Sequence, residues 1–132
     1  MERWLGRLSE LFYTALRFVA GAMFACHGAQ KLFGALGGQK MTGSPLMLTA
    51  GIIELVGGIL IALGLIAGLA AFVSSGQMAI AYFMVHASKG PWPIQNGGEL
   101  AVLYCFVFLF VASRGSGPIS LDAAIGRGSR RR

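Results

Sequence analysis

Acidic residues are scarce in this sequence: five Asp and Glu stand against eleven Lys and Arg among 132 residues. Charged residues of both signs reach only 12%, about half the roughly 25% of a typical soluble domain. So few charges cannot clothe a water-facing globule, which excludes a soluble domain. Cysteine is scarce too. Cys26 and Cys105 sit singly in apolar runs, with no CxxC, which excludes a dithiol motif, clustered metal-ligand spacing and a disulfide framework. The strict alternation of a membrane β-barrel is missing. No short apolar stretch ends in a small-residue cleavage site, so a cleaved signal peptide is not expected.

Apolar residues fill the chain instead. They make up 55% of it, mean hydropathy is +0.68, and there are twenty glycines, a residue enriched in membrane helices. Four runs stand out, at about residues 11–36, 45–66, 68–88 and 98–113. The first exceeds the roughly 20 residues a helix needs to cross the hydrocarbon core, and the last is short for a span. Pro45 suits the first turn of the second run. A very short gap makes runs two and three a tight antiparallel hairpin. "KGPWPIQNGG" then breaks the pattern before the fourth run. Backbone in lipid must satisfy its own hydrogen bonds, so the runs are expected to be helices. The expected fold is an all-α membrane protein, a four-transmembrane-helix bundle occupying residues 11–114.

The net charge of +6 is unevenly placed. Arg3 and Arg7 precede the first run, while Arg114, Arg127, Arg130, Arg131 and Arg132 follow the last. The two intervening loops carry only Lys40 and Lys89. The positive-inside rule then predicts both termini in the cytoplasm: residues 1–10 as an N-terminal segment and 115–132 as a basic tail. Anionic lipid, not nucleic acid, is the expected partner of these arginines. The tail has a helix-start pattern at Ser120, with Asp122 in the first turn, and reads as a topology and lipid-anchoring element.

Six ionisable residues lie within the runs or at their ends: Arg17, His27 and Lys31 on the first, Glu54 on the second, His86 closing the third and Glu99 opening the fourth. A charge at the bilayer centre costs at least about 2.5–3.5 kcal/mol on insertion scales, so such groups must face inward, pair or touch water. At about 100° per residue, Lys31 falls about 40° and His27 about 80° from Arg17, with Gly21 and Gly28 in the same arc. Glu54 shares its face with Gly57 and Gly58. Small residues let helix backbones approach, so this face is expected to pack on run one and bring Glu54 to Arg17 or Lys31. All but Arg17 lie toward the outer half, which predicts an outer-half polar cavity. Five of the six, all but His27, also have a purely structural reading: an Arg17–Glu54 ion pair, a snorkelling Lys31, an interfacial His86, and Glu99 complementing a helix dipole. Gln77 falls about 180° from His86 and is expected to face another neighbour. Trp92 and Tyr82 fit an aromatic belt. Cys26 and Cys105 read as buried small apolar residues. A lysine one turn from His27 favours an anion over a metal at His27 and His86, and no metal site is expected.

Arg17-x3-Gly21, His27-Gly28-x2-Lys31-x2-Gly34, Glu54-x2-Gly57-Gly58, His86 and the "NGGE" that opens the fourth run, followed by "SLDA", resemble the DoxX family of bacterial membrane proteins over about residues 11–125. The resemblance implies a plasma-membrane four-helix protein, described as an oxidoreductase, with relatives linked to quinone-coupled sulfur oxidation, oxidative stress and quinone-like compounds. Its recurrent residues fall on Arg17, Gly21, His27, Gly28, Lys31, Glu54, His86, Asn96, Gly97 and Glu99. Without CxxC, electron transfer here needs a bound quinone or a partner redox subunit.

The expected roles follow. His27, Lys31 and His86 are catalytic candidates, with histidine moving protons near neutral pH. Arg17, Glu54, Glu99, Asn96 and Gly28 are substrate-binding candidates. Two other readings stand beside the redox one: a non-catalytic binder or transporter of a small anion or lipid headgroup, and a subunit of a membrane complex or homodimer.

Overall fold

The computed structural model describes residues 1–126. The expected basic run at Arg127 and Arg130–Arg132 lies outside them. The described chain is helical: α1 Glu2–Gly6, α2 Ser9–Phe33, α3 Pro45–Leu63, α4 Ala67–Ala81, α5 Pro93–Asn96, α6 Glu99–Arg114 and α7 Leu121–Ala124. A π-helical turn, Tyr82–His86, and a 3₁₀ turn, Ala87–Lys89, extend α4.

Local chemistry sets the boundaries. Pro45 opens α3 at a position where no amide is needed, directly after the extended Ser44. Gly34 and Gly64 close α2 and α3 in the left-handed conformation, three residues inside the ends expected from hydropathy. The helix ends earlier than the apolar run because the cap, not the hydrophobicity, stops it. α4 follows after only Gly64–Ile66, the tight hairpin expected.

Four long helices form a bundle in which α2 packs on α3, α3 on α4 and α4 on α6. The aromatic group of Phe24, Tyr104 and Phe108 joins α2 to α6, with Phe24 and Phe108 ring centroids 4.8 Å apart. The distribution of side chains is inverted relative to a soluble bundle. Arg17, Glu54, Ser74 and Ser75 are buried, while Phe18, Val56, Leu69, Phe72, Leu103 and Phe106 face outward. Such an apolar exterior suits lipid, not water. Pro45–Leu63 and Ala67–Lys89 are long and apolar enough to cross a membrane, with mean hydropathies of 2.3 and 1.5. The fold is that of a helical membrane protein.

The α2–α3 seam runs on glycine. A Cβ on Gly28 would collide with the backbone nitrogen of Leu55 and lie 2.8 Å from the Gly51 oxygen. Gly58 meets the backbone of Ala25 and Gly21 in the same way. Gly28→Ala is therefore expected to lose about 1–3 kcal/mol through overpacking. Gly76→Ala, with nothing within 4 Å of its added methyl, should be neutral or gain up to about 1 kcal/mol of helix propensity. Chemical denaturation in mixed micelles compares them; equal stability of the two variants would contradict this account of the seam.

The other end of the bundle is closed by the segment after α6. Ser120 caps α7 by accepting from the Ala123 amide at 3.1 Å. Asp122 is buried and accepts from the Ile66 amide at 2.8 Å and from the Ser116 hydroxyl at 2.6 Å. Ile66 needs that support, since its φ of 43° is unfavourable for a β-branched residue. The helix start at Ser120 is where the sequence puts it. The described part of the segment is a latch on the α3–α4 turn.

Candidate functional site

Near the end of the bundle that carries the 34–44 and 90–98 loops, four helices bring polar side chains together. Lys31, one turn beyond His27 on α2, donates to Glu54 Oε1 on α3. Gln77 Nε2 on α4 donates to the same oxygen at 3.0 Å. Glu54 is 1% exposed, and the Lys31 side chain 25%. Burying a carboxylate so completely is sustainable only because a cation and an amide both meet it. His27 stands edge-on to Tyr104 of α6, with ring centroids 6.1 Å apart. His86, at the end of the π-turn, has Nδ1 3.2 Å from the Asn96 carbonyl oxygen. That oxygen can only accept, so Nδ1 carries a proton.

These residues line one cavity of about 410 Å³, within the range of small-molecule sites. Its other walls are mainly apolar, among them Met41, Met47, Met78 and Met84. Methionine makes an apolar wall that adapts to the shape of its contents. Three residues of the wall keep a buried polar atom without a partner among the described residues: Glu54 Oε2, Gln77 Oε1 and Tyr104 Oη.

Of the expected site residues, the structure unites His27, Lys31, Glu54 and His86 at this cavity. The other four have different places. Arg17 does not reach Glu54. Its guanidinium donates to the carbonyls of Ile61, Ser116 and Ile119 at the opposite end of the bundle. Glu99 is exposed on the first turn of α6 and is not part of the cavity wall. Asn96 is buried, but its side chain is fully engaged in the loop. Its amide donates to Tyr82 Oη at 3.0 Å and to the Gly90 carbonyl at 3.1 Å, and its oxygen accepts from the Gly98 amide at 2.8 Å. Asn96 thus positions His86 through its backbone. Gly28 admits the backbone of α3, not a ligand.

Gln77 and Tyr104 are the residues that sequence reasoning missed. α-Helical extrapolation sets Gln77 opposite His86. The π-turn at Tyr82–His86 takes up an extra residue per turn and rotates His86 back onto the Gln77 side. The lone amide of the third run was the available signal. Tyr104 had none, being one aromatic in an apolar run. Cys26 is exposed on α2, not buried as expected, while Cys105 packs against the Ser75 hydroxyl on α4. Both thiols are free.

Comparison with known proteins agrees with the likeness seen in the residues. The DoxX family model matches residues 12–87, more than half of the chain. A Haemophilus influenzae protein, described only as an uncharacterized protein, is 46% identical over 125 residues, covering 89% of this chain and 93% of its own. No solved structure matches significantly. The matched residues hold α2 from Phe12 onward, α3, α4 and the π-turn, and with them His27, Lys31, Glu54, Gln77 and His86. The chain belongs to the DoxX family.

Proposed function

We propose that this protein binds a small, neutral, quinone-like ring in the cavity and works as an oxidoreductase component of the bacterial plasma membrane. The loops at 34–44 and 90–98 then face outward and both termini the cytoplasm. The observation that carries this reading is the pairing of Lys31 with Glu54 at an otherwise apolar cavity. The pair cancels its own charge, which counts against a small anion and favours a neutral molecule with an apolar body and a few polar atoms. Reduction of a quinone consumes two electrons and two protons. The electrons come from a partner redox subunit, since neither cysteine is paired with a second thiol. His27 and His86, both on the cavity wall, are the proton carriers nearest the ring. Lys31 and the Tyr104 hydroxyl supply donors for developing negative charge on the ring oxygen.

The test is equilibrium binding of trimethyl-1,4-benzoquinone to the full chain in lipid nanodiscs. Saturable binding is expected, with Lys31→Ala weakening it about tenfold, as loss of a charge-assisted hydrogen bond of about 1.5–3 kcal/mol requires. Absence of saturable binding of the ring in either of its redox states would sink the proposal.

A further inference from the structure

We infer that α1 is an interfacial helix that docks on anionic phospholipid headgroups, in the leaflet at the Arg114 end of the bundle. The inference does not depend on the cavity or its contents. No residue of α1 is buried against the bundle, and Trp4 is 79% exposed. Leu5 and Leu8 are exposed as well. At about 100° per residue, Trp4, Leu8 and Leu5 fall within one arc of about 100°. Arg7 keeps helical backbone angles, so Leu8 stays in phase with them. Arg3 and Arg7 lie about 40° apart, centred about 130° from the apolar side. Glu2 sits on the other flank. This is the pattern of a helix that lies in a membrane interface, with Trp and Leu toward the acyl chains and arginines toward the phosphates.

The chain itself sets the depth of that face. At Leu8 ψ is 7°, against about −42° in a regular α-helix, so the helix breaks between α1 and α2. The break frees α1 from the line of α2. Two residues on, Glu10 accepts from Arg114 of α6, whose guanidinium lies 4.3 Å from the Tyr13 ring centroid. The Arg114 and Glu10 side chains are 32% and 46% exposed, which puts their ion pair at headgroup level and not among acyl chains. Leu8 is only about 3 Å of helix rise from Glu10, so α1 leaves the span at that same level. A helix of five residues is not stable in water alone. Burial of Trp4, Leu5 and Leu8 in the interface supplies the missing stabilisation. Charge then selects the lipid. Glu10 is already met by Arg114, and Arg3 and Arg7 outnumber Glu2, so this end of the chain presents net positive charge to the headgroups.

The experiment places the full chain, one copy per nanodisc, in phosphatidylcholine with and without phosphatidylglycerol. A single copy excludes a second chain as the cover of Trp4. The sequence has two tryptophans, so Trp92→Phe leaves Trp4 as the fluorescent reporter. Trp92 is not part of the cavity wall. Lipids brominated near the headgroup should quench Trp4 more than lipids brominated near the chain end, and aqueous acrylamide should quench it less than free tryptophan. Phosphatidylglycerol should strengthen docking, and Arg3→Gln with Arg7→Gln should remove that gain, about fivefold in the docked-to-undocked ratio for each arginine. Added salt should remove it too. Trp4 as open to acrylamide as free tryptophan, with no quenching by either lipid, overturns the inference. Stronger quenching from the chain end also overturns it, since α1 then continues the span. Docking that is equal with and without phosphatidylglycerol overturns the assignment to anionic lipid. The difference between the unsubstituted chain and Trp4→Phe gives the same readings with Trp92 in place. Each of these failures leaves the proposed function standing.

Discussion

Glu54→Ala should cost about 3–5 kcal/mol of stability, the range for stripping one partner from a buried ion pair. The carboxylate is 1% exposed and receives both Lys31 and Gln77. Its removal leaves an ammonium among apolar side chains and an amide with a lost acceptor. Glu54→Gln should cost less, because the amide oxygen still accepts from Lys31 and keeps the volume filled. The informative variant is the double one. Lys31→Met with Glu54→Leu removes both charges together, and such exchanges are often close to neutral. Unfolding in mixed micelles should therefore show the double variant more stable than Glu54→Ala alone. Additive losses, with no coupling between positions 31 and 54, would show that the pair is not what holds this end of the bundle.

Arg17→Met should weaken the opposite end by a similar amount, roughly 3–5 kcal/mol, since hydrogen bonds to charged groups are worth about 1.5–3 kcal/mol each. Arg17 is 2% exposed. Its Nε donates to the Ile61 carbonyl at 3.0 Å and Nη2 to the Ile119 carbonyl at 3.0 Å, with Nη1 donating to Ser116. The planar fork serves three backbone acceptors on two separate segments at once. A lysine places its donors around a single point, so Arg17→Lys should recover only part of the loss. Limited proteolysis reads this locally: Arg17→Met should expose the 115–125 segment to cleavage while the α2–α3 seam stays protected. Unchanged protection of that segment would contradict the staple.

The two ends of the molecule differ in how far the sequence reveals them. Hydropathy located the four long helices to within about three residues. The spacing of Gly21, Gly28 and Gly58 located the seam that brings α2 against α3. That seam left Glu54 two basic partners on α2, Arg17 and Lys31, and helical angles could not choose between them because both lie on one arc. The choice was made by groups that helical periodicity does not describe. Arg17 is drawn to backbone carbonyls, which are invisible as residue types, on a segment about a hundred positions away. Asn96 entered the candidate site through the family resemblance alone, and its side chain serves as a loop staple. Gln77 was lost to one irregular turn that changes the phase of everything after it.

The Arg17 staple also bears on how the protein is made. Arg17 leaves the ribosome 99 residues before Ser116 and 102 before Ile119. At about 5–20 residues per second, that is an interval of roughly 5–20 s. Throughout it, α2 carries a guanidinium for which the Ser116 and Ile119 carbonyls, two of its three final acceptors, have not both been synthesised. The bundle is locked only when the 115–125 segment has been made, which makes its arrival the step that commits α2 to its place.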